Sequence, residues 1–209
     1  MKNKFKISLI LLVVLFSCQL VHAQKTENKL SKILLGKDKE VERLQLTVGT
    51  YPFLFFGGIG GSLGAEFNHW HTGLIGFTVQ PPEFIKTTFF RNADDITIEQ
   101  NYAVELFANY YLRPDRKGLY FGLVGGPEWF EIRDNITAAK TTIIKSYVVP
   151  NVGVRLFPFK KYFYTDASIG WSFNLSGTEK QTLGGTTYNA SRGGLLYFFQ
   201  LGARFPLAK

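Results

Sequence analysis

The feature that most constrains the fold is an alternation of apolar and polar side chains that recurs in eight segments of the chain. Successive side chains of a β-strand face opposite sides, so this pattern predicts strands with one apolar face and one small or polar face. The predicted strands, in chain order, are 44–56, 62–68, 72–80, 100–112, 119–130, 145–157, 162–174 and 194–205. The chain is therefore predicted to be all-β.

The predicted connections differ in length at the two ends of the strands. The short turns are 68–71, 113–118 and 158–161. The long loops are 81–99, 131–144 and 175–193, and the first connection, 57–61, breaks the pattern by being short. An even number of strands, with short turns at one end and longer loops at the other, is typical of bacterial outer-membrane barrels.

Alternation alone fits two arrangements, because the apolar faces point inward in a soluble barrel and toward lipid in a membrane barrel. Three features favour the membrane, and two of them concern side chains: lysine is nearly missing from the strand centres, and aromatic residues cluster near the strand ends, where interfacial girdles are expected. Glycines on the polar faces also fit the narrow interior of an eight-stranded barrel. They are Gly64, Gly122, Gly126, Gly153, Gly170 and Gly202. The clustered aromatics are Tyr51, Phe53, Phe55, Tyr110, Tyr111, Trp129, Phe130, Phe157, Phe159 and Tyr162. We predict an eight-stranded antiparallel up-and-down transmembrane β-barrel, with a soluble lipocalin-like or sandwich form as the alternative.

The N-terminus has the three parts of a secretory signal peptide. Lys2, Lys4 and Lys6 precede the apolar stretch 7–16, and Ala23 ends a stretch of small residues suited to cleavage. The apolar stretch is too short for a transmembrane helix, which needs about 20 residues. We predict a signal peptide at 1–23, a polar arm at 24–41 and the barrel at 42–209. Cys18, in a loose lipobox, leaves lipidation open as a second route.

Charge and cysteine content restrict the partners. Cleavage after Ala23 lowers the net charge from +8 to +5, and the remaining basic residues are scattered. An exported chain of this kind is predicted not to bind nucleic acid. A single cysteine excludes a disulfide scaffold. We expect a monomer in the bacterial outer membrane, with lipid as its partner and the loop-binding partner undefined.

The polar strand faces also carry charges that a membrane barrel would bury in its lumen. These are Glu66, Glu105, Glu128, Arg155, Asp166 and Arg204. Buried charge is costly unless it is paired, and arginine pairs carboxylates with two parallel hydrogen bonds. We predict a lumenal charge network, joined by Asn109, Asn151 and Gln200. It acts either as a structural plug or as a gate whose ion pairs exchange partners.

Motifs for catalysis are missing from the sequence. His69 and His71 flank Trp70 in a predicted turn, and no cysteine or carboxylate cluster completes a metal site there. No histidine falls in a predicted strand, which argues against a histidine-dependent hydrolase. The glycines of 57–61 lack the lysine and hydroxyl residue of a phosphate-binding loop. We predict no catalytic residues, no cofactor and no metal.

Together, the signal peptide, the alternating strands and the aromatic terminal strand 197–205 resemble small outer-membrane β-barrel proteins of Gram-negative bacteria, of the OmpA-like and OmpX-like type. The resemblance implies a non-enzymatic role in envelope structure or surface contact, or limited porin-like permeation. Such families commonly end on phenylalanine, whereas Phe205 is followed here by four residues.

Four functions remain open from the sequence. They are a structural or surface-interaction barrel with contact loops 83–99 and 176–192, a small gated pore or transporter for ions or small hydrophobic solutes, a lipid-modifying enzyme, and a soluble periplasmic lipid-binding barrel.

Overall fold

The described residues form eleven strands, of which most build one sheet. The computed structural model describes residues 44–52, 57–83, 86, 89–91, 94–159, 162–177, 179–190 and 193–207. The predicted signal peptide, arm and lipidation site lie outside these residues. The strands are β1 (Gln45–Thr50), β2 (Gly58–Phe67), β3 (Trp70–Val79), β4 (Ile96–Tyr111), β5 (Gly118–Asp134), β6 (Lys140–Phe159), β7 (Phe163–Trp171), β8 (Phe173–Ser176), β9 (Lys180–Leu183), β10 (Thr186–Asn189) and β11 (Leu195–Pro206).

The large sheet closes into a barrel. Its order is β5-β4-β3-β2-β1-β11-β7-β6-β8, and the pairing of β5 with β6 joins its two sides. Only Ser172 separates β7 from β8, and both pair with β6, so together they form one barrel strand. Every pairing is antiparallel. This closed barrel of eight antiparallel strands confirms the predicted fold class.

Three neighbouring strands are longer than the sequence pattern predicted. β4, β5 and β6 contain 16, 17 and 20 residues, whereas β1 contains six. The prediction of a long loop at 131–144 was wrong, because Ile132 and Ile143 continue the alternation on the inner face and are buried there. The strands β5 and β6 are joined by residues 135–139 alone.

An apolar core lies at the loop end of the barrel, where the inner faces of these long strands meet residues of the long connections. It consists of Phe90, Ile96, Ile98, Phe130, Ile132, Ile143, Tyr188 and Ala190. Phe90 belongs to the β3–β4 connection, and Tyr188 to the hairpin of β9 and β10. Burial raises the pKa of the Tyr188 phenol above its ordinary value. The two long connections therefore fold onto the strand extensions.

The outward side chains of the barrel wall are mostly apolar, whereas the inward ones include the charged, polar and glycine residues together with aromatic and aliphatic groups. In β4, for example, Val104 and Leu106 are exposed while Glu105 and Phe107 are buried. The girdle prediction was wrong for Tyr111 and Phe130, which are fully buried inside, and for Tyr51 and Phe157, which contact lumenal side chains. Phe53 and Phe55 lie outside the described residues. The outward neighbours of Tyr111 and Phe130, Tyr110 and Trp129, occupy the exterior instead, because adjacent side chains alternate. No helix among the described residues is long and apolar enough to cross a membrane.

Candidate functional site: two charged clusters in the lumen

The structure places all six predicted lumenal charges in the barrel interior. Each is at most 5% exposed. They form two clusters instead of one. The turn-end cluster contains Glu66, Arg155, Asp166 and Arg204, joined by Arg116 and His71. The loop-end cluster contains Glu105 and Glu128, joined by Lys145, Asn101 and Tyr147.

Arg155 lies at the centre of the turn-end cluster. Its neighbour across the β6–β7 ladder is Asp166, and its Nε donates to Asp166 Oδ2 over 3.0 Å. Its Nη1 pairs with the Glu66 carboxylate. The guanidinium carbon lies 4.0 Å from the ring centre of Tyr164 and 4.8 Å from that of Tyr111. This arginine therefore combines ion pairs with cation–π contacts in a buried setting, where both are strongest.

A turn contributes a second arginine that sequence analysis missed. Arg116 lies between β4 and β5 in the left-handed region, with φ 58°, and is fully buried. Its Nε donates to Glu66 Oε2 over 2.9 Å, and its Nη1 to the carbonyl of Asn68 over 2.7 Å. The alternation of strand side chains gives no signal for such a residue, because a turn has no fixed inner face.

Glu66 is shared by three arginines. Besides Arg155 and Arg116, Arg204 Nη1 lies 3.6 Å from Glu66 Oε2 and donates to the carbonyl of Asp115 over 3.1 Å. The Arg204 guanidinium also stacks 4.0 Å from the ring centre of Phe157. One carboxylate thus connects β2 with β6, β11 and the β4–β5 turn.

His71 is a lumenal residue, contrary to the prediction that it lies in a turn. The turn comprises only Asn68 and His69, with Asn68 at φ 50°, and β3 begins at Trp70. Arg155 Nη2 donates to His71 Nδ1 over 2.8 Å, since arginine only donates. His71 Nε2 must then carry the proton and donate to Thr47 Oγ1 at 2.8 Å. The expectation that no histidine lies in a strand was therefore wrong.

Tyrosine rings fill the space around Asp166. Tyr111 and Tyr120 both donate to its carboxylate, the former over 3.2 Å. A Cβ at Gly202 would lie 2.1 Å from Cζ of Tyr164, so glycine is required there for the ring to fit. The inward glycines thus make room for the aromatic rings of a narrow lumen.

The three predicted polar partners lie apart from the ion pairs. Asn109, Asn151 and Gln200 line a space of about 30 Å³ above the turn-end cluster, enough for a water molecule or two. Gln200 Nε2 donates to Ser62 Oγ over 2.5 Å. Farther toward the loops, the lumen is narrowed by an apolar group that includes Ile75, Phe107 and Val149.

The loop-end cluster holds two carboxyl groups close together. Tyr147 donates to Glu105 and, over 3.4 Å, to Glu128 Oε1. Asn101 Nδ2 lies 3.5 Å from the same Oε1. Lys145 interacts electrostatically with Glu128 and lies 5.8 Å from the ring centre of Phe89. Sequence analysis missed Lys145, although its spacing of two residues from Tyr147 places both on one face.

Within the part of the chain that the structure describes, no group of three metal-ligating side chains is present.

No protein-family model matches the chain, and no curated protein matches it significantly. Two similar solved structures are the N-terminal β-barrel domain of Pseudomonas aeruginosa OprF and a major outer membrane protein from Thermus thermophilus. The first is 12% identical, covers 80% of this chain and 100% of its own, and has a TM-score of 0.42. The second is 15% identical, covers 78% and 99%, and has a TM-score of 0.42. Likeness at this level does not transfer the role of either protein to this chain.

Proposed function

We propose that this chain is a non-enzymatic outer-membrane β-barrel whose lumen is closed by the turn-end cluster, and that it serves envelope structure or surface interaction. The observation that carries the proposal is the sidedness of the barrel, with ion pairs inside and apolar side chains outside. A water-soluble barrel has the opposite arrangement.

The outer face supports insertion into lipid because every barrel strand contributes a large exposed apolar side chain to it. Examples, one from each barrel strand, are Leu46, Leu63, Leu74, Leu106, Leu123, Val152, Ile169 and Leu201. Monomeric soluble proteins rarely expose so continuous an apolar surface. The soluble lipid-binding alternative required these faces to point inward, and the structure does not support it.

Closure of the lumen is supported by the pairing within the turn-end cluster. A hydrated ion passing Arg155 would have to separate it from Glu66 and Asp166, which are buried with it. Leaving one member of a buried pair uncompensated costs about 3–5 kcal/mol. We therefore favour a plug over a pathway.

A gated pore is the second candidate, and one observation favours it. Glu66 interacts with Arg116 and Arg155, and Arg204 is only slightly farther away. A carboxylate among three arginines can exchange partners without ever being unpaired. Such an exchange would open a path only if the aromatic rings around Arg155 also moved.

Two experiments test the proposal, and the first concerns location. The full chain, with its leader, is produced in a Gram-negative host, and the membranes are fractionated. We expect the protein in the outer membrane, with faster gel migration before boiling than after it. Recovery in the soluble periplasm would contradict membrane insertion.

The second experiment measures conductance in planar lipid bilayers. We expect the wild-type barrel to give no discrete current steps, and the double variant Glu66→Ala/Arg155→Ala to give them, because it removes the centre of the plug. The matched control is Glu99→Ala/Arg133→Ala, an ion pair at 3.5 Å on partly exposed side chains, which should stay silent. Steps in the wild type would favour the gated pore, and silence of the first double variant would assign closure to other side chains.

A further inference from the structure

The loop end of the lumen contains a cavity that the proposed plug does not use. It has a volume of about 210 Å³. Its wall is largely apolar, with Phe77, Phe89 and Phe198 among the lining residues, and its carboxyl and amide groups come from the loop-end cluster. An apolar cavity of about 150 Å³ is known to bind benzene, so this one has room for a single ring with a short substituent.

Two residues that line the cavity, Asn101 and Glu128, each have a buried oxygen without a hydrogen-bond partner. Asn101 Oδ1 and Glu128 Oε2 have none among the described residues, and their side chains belong to residues only 2% and 3% exposed. Both atoms are acceptors, and a buried acceptor without a donor costs about 1–3 kcal/mol. These two acceptors are therefore left for a ligand that donates hydrogen bonds.

The charges around the cavity favour a cationic donor. Glu105 and Glu128 contribute two carboxyl groups, and Lys145 contributes one ammonium group. Tyr147 already donates its only hydroxyl hydrogen to this pair of acids. An ammonium group supplies three donors for the two unpaired oxygens, and its positive charge would favour the ionised form of Glu128.

The cavity also extends to the edge of the barrel wall. Its lining includes inward residues of β11, such as Leu196, and the outward Tyr197. Among the described residues, the pairing of β1 with β11 goes no farther than Thr50 and Leu201, so this part of β11 is hydrogen-bonded to β7 alone. The site thus adjoins the apolar outer face, which suits a ligand with an apolar body.

We propose that this cavity binds a small amphiphilic amine, with its protonated amino group on Glu128 and Asn101 and one aromatic ring or short alkyl chain against the phenylalanines. Binding does not require a closed lumen, because the turn-end cluster contributes no residue to the cavity. The test of this site is therefore independent of whether the turn-end cluster closes the lumen.

Calorimetric titration of the detergent-solubilised full-length barrel tests the head-group preference. Phenethylamine, phenethyl alcohol and phenylacetate each carry a phenyl ring on a short linker but end in a cationic, neutral and anionic group. We expect saturable one-site binding of the amine, binding of the alcohol at least tenfold weaker and no binding of the acid. Equal binding of all three, or amine uptake no greater than that by empty micelles, would overturn the proposal.

Two variants then locate the site. Glu128→Gln keeps the shape of the side chain but removes its charge, and we expect it to weaken amine binding about tenfold or more. The control is Glu131→Gln, on the same strand but facing outward, which should bind as the wild type does. Leu196→Trp fills the cavity and should abolish binding, so the test stands even if Glu128→Gln does not fold. Heat-modifiable migration verifies folding, and unchanged amine binding in the folded variants would refute the site.

Discussion

Replacing Arg155 with alanine is expected to lower the free energy of unfolding by about 3–5 kcal/mol, the usual cost of breaking a buried ion pair from one side. Arg155 pairs with both Glu66 and Asp166 and donates to His71. Without Arg155, the buried carboxylate of Asp166 loses its arginine partner, and Glu66 loses one of its three. It also removes the planar group between Tyr111 and Tyr164.

Urea titration of the barrel in lipid vesicles, followed by tryptophan fluorescence, measures this loss. Arg155→Lys keeps a charge but not the forked donors, and it should fall between the wild type and Arg155→Ala. Arg133→Ala is the control, because Arg133 is 44% exposed and pairs with Glu99 at 3.5 Å. We expect the control to lose less than about 1 kcal/mol. An equally small loss for Arg155→Ala would show that the cluster does not hold the barrel together.

Placing arginine at Leu106 should destabilise the barrel by about 2–4 kcal/mol, the cost of a cation on the lipid face near the bilayer centre. Leu106 is 67% exposed, lies opposite Leu74 of β3 and is remote from both ends of β4. In a water-soluble barrel the same change on an exposed side chain would be almost neutral. The sign and size of this effect therefore report on the surroundings of the outer face.

The same vesicle titration compares Leu106→Arg with Ile136→Arg. Ile136 is 74% exposed in the β5–β6 connection, away from the barrel wall. We expect its substitution to change the free energy of unfolding by no more than about 0.5 kcal/mol. Comparable small effects at both positions would mean that Leu106 does not face lipid.

Side-chain alternation predicted much of the barrel because it depends only on neighbouring residues. It assigned Glu105, Asp166 and Arg204 to one face of their strands, and that face lies inside. The height of each residue along the barrel is a different matter. This height depends on strand register, which a single sequence does not reveal. The sequence therefore predicted one charge network where the structure has two clusters.

Turns account for most of the other differences. The sequence does not show that Asn68 adopts a left-handed conformation, which shortens the turn and moves His71 into β3. Nor does it show that Arg116 folds back from its turn to Glu66.

The extension of β5 and β6 was missed because Ile132 and Ile143 are buried by distant loop residues, including Phe90 and Tyr188. Tertiary contacts of this kind leave no local pattern.

The most direct test of the membrane barrel is to measure which face of β4 contacts lipid. The region predicted to remain after cleavage contains no cysteine, so single cysteines can carry a nitroxide label at successive positions from Ala103 to Ala108 in the vesicle-bound protein. The collision rates of each label with oxygen, which concentrates in lipid, and with a water-soluble nickel chelate are then compared. We predict high oxygen and low nickel accessibility at Val104, Leu106 and Ala108, with both low at the alternate positions. High nickel accessibility at Val104, Leu106 and Ala108 would place the outer face in water and contradict the membrane barrel.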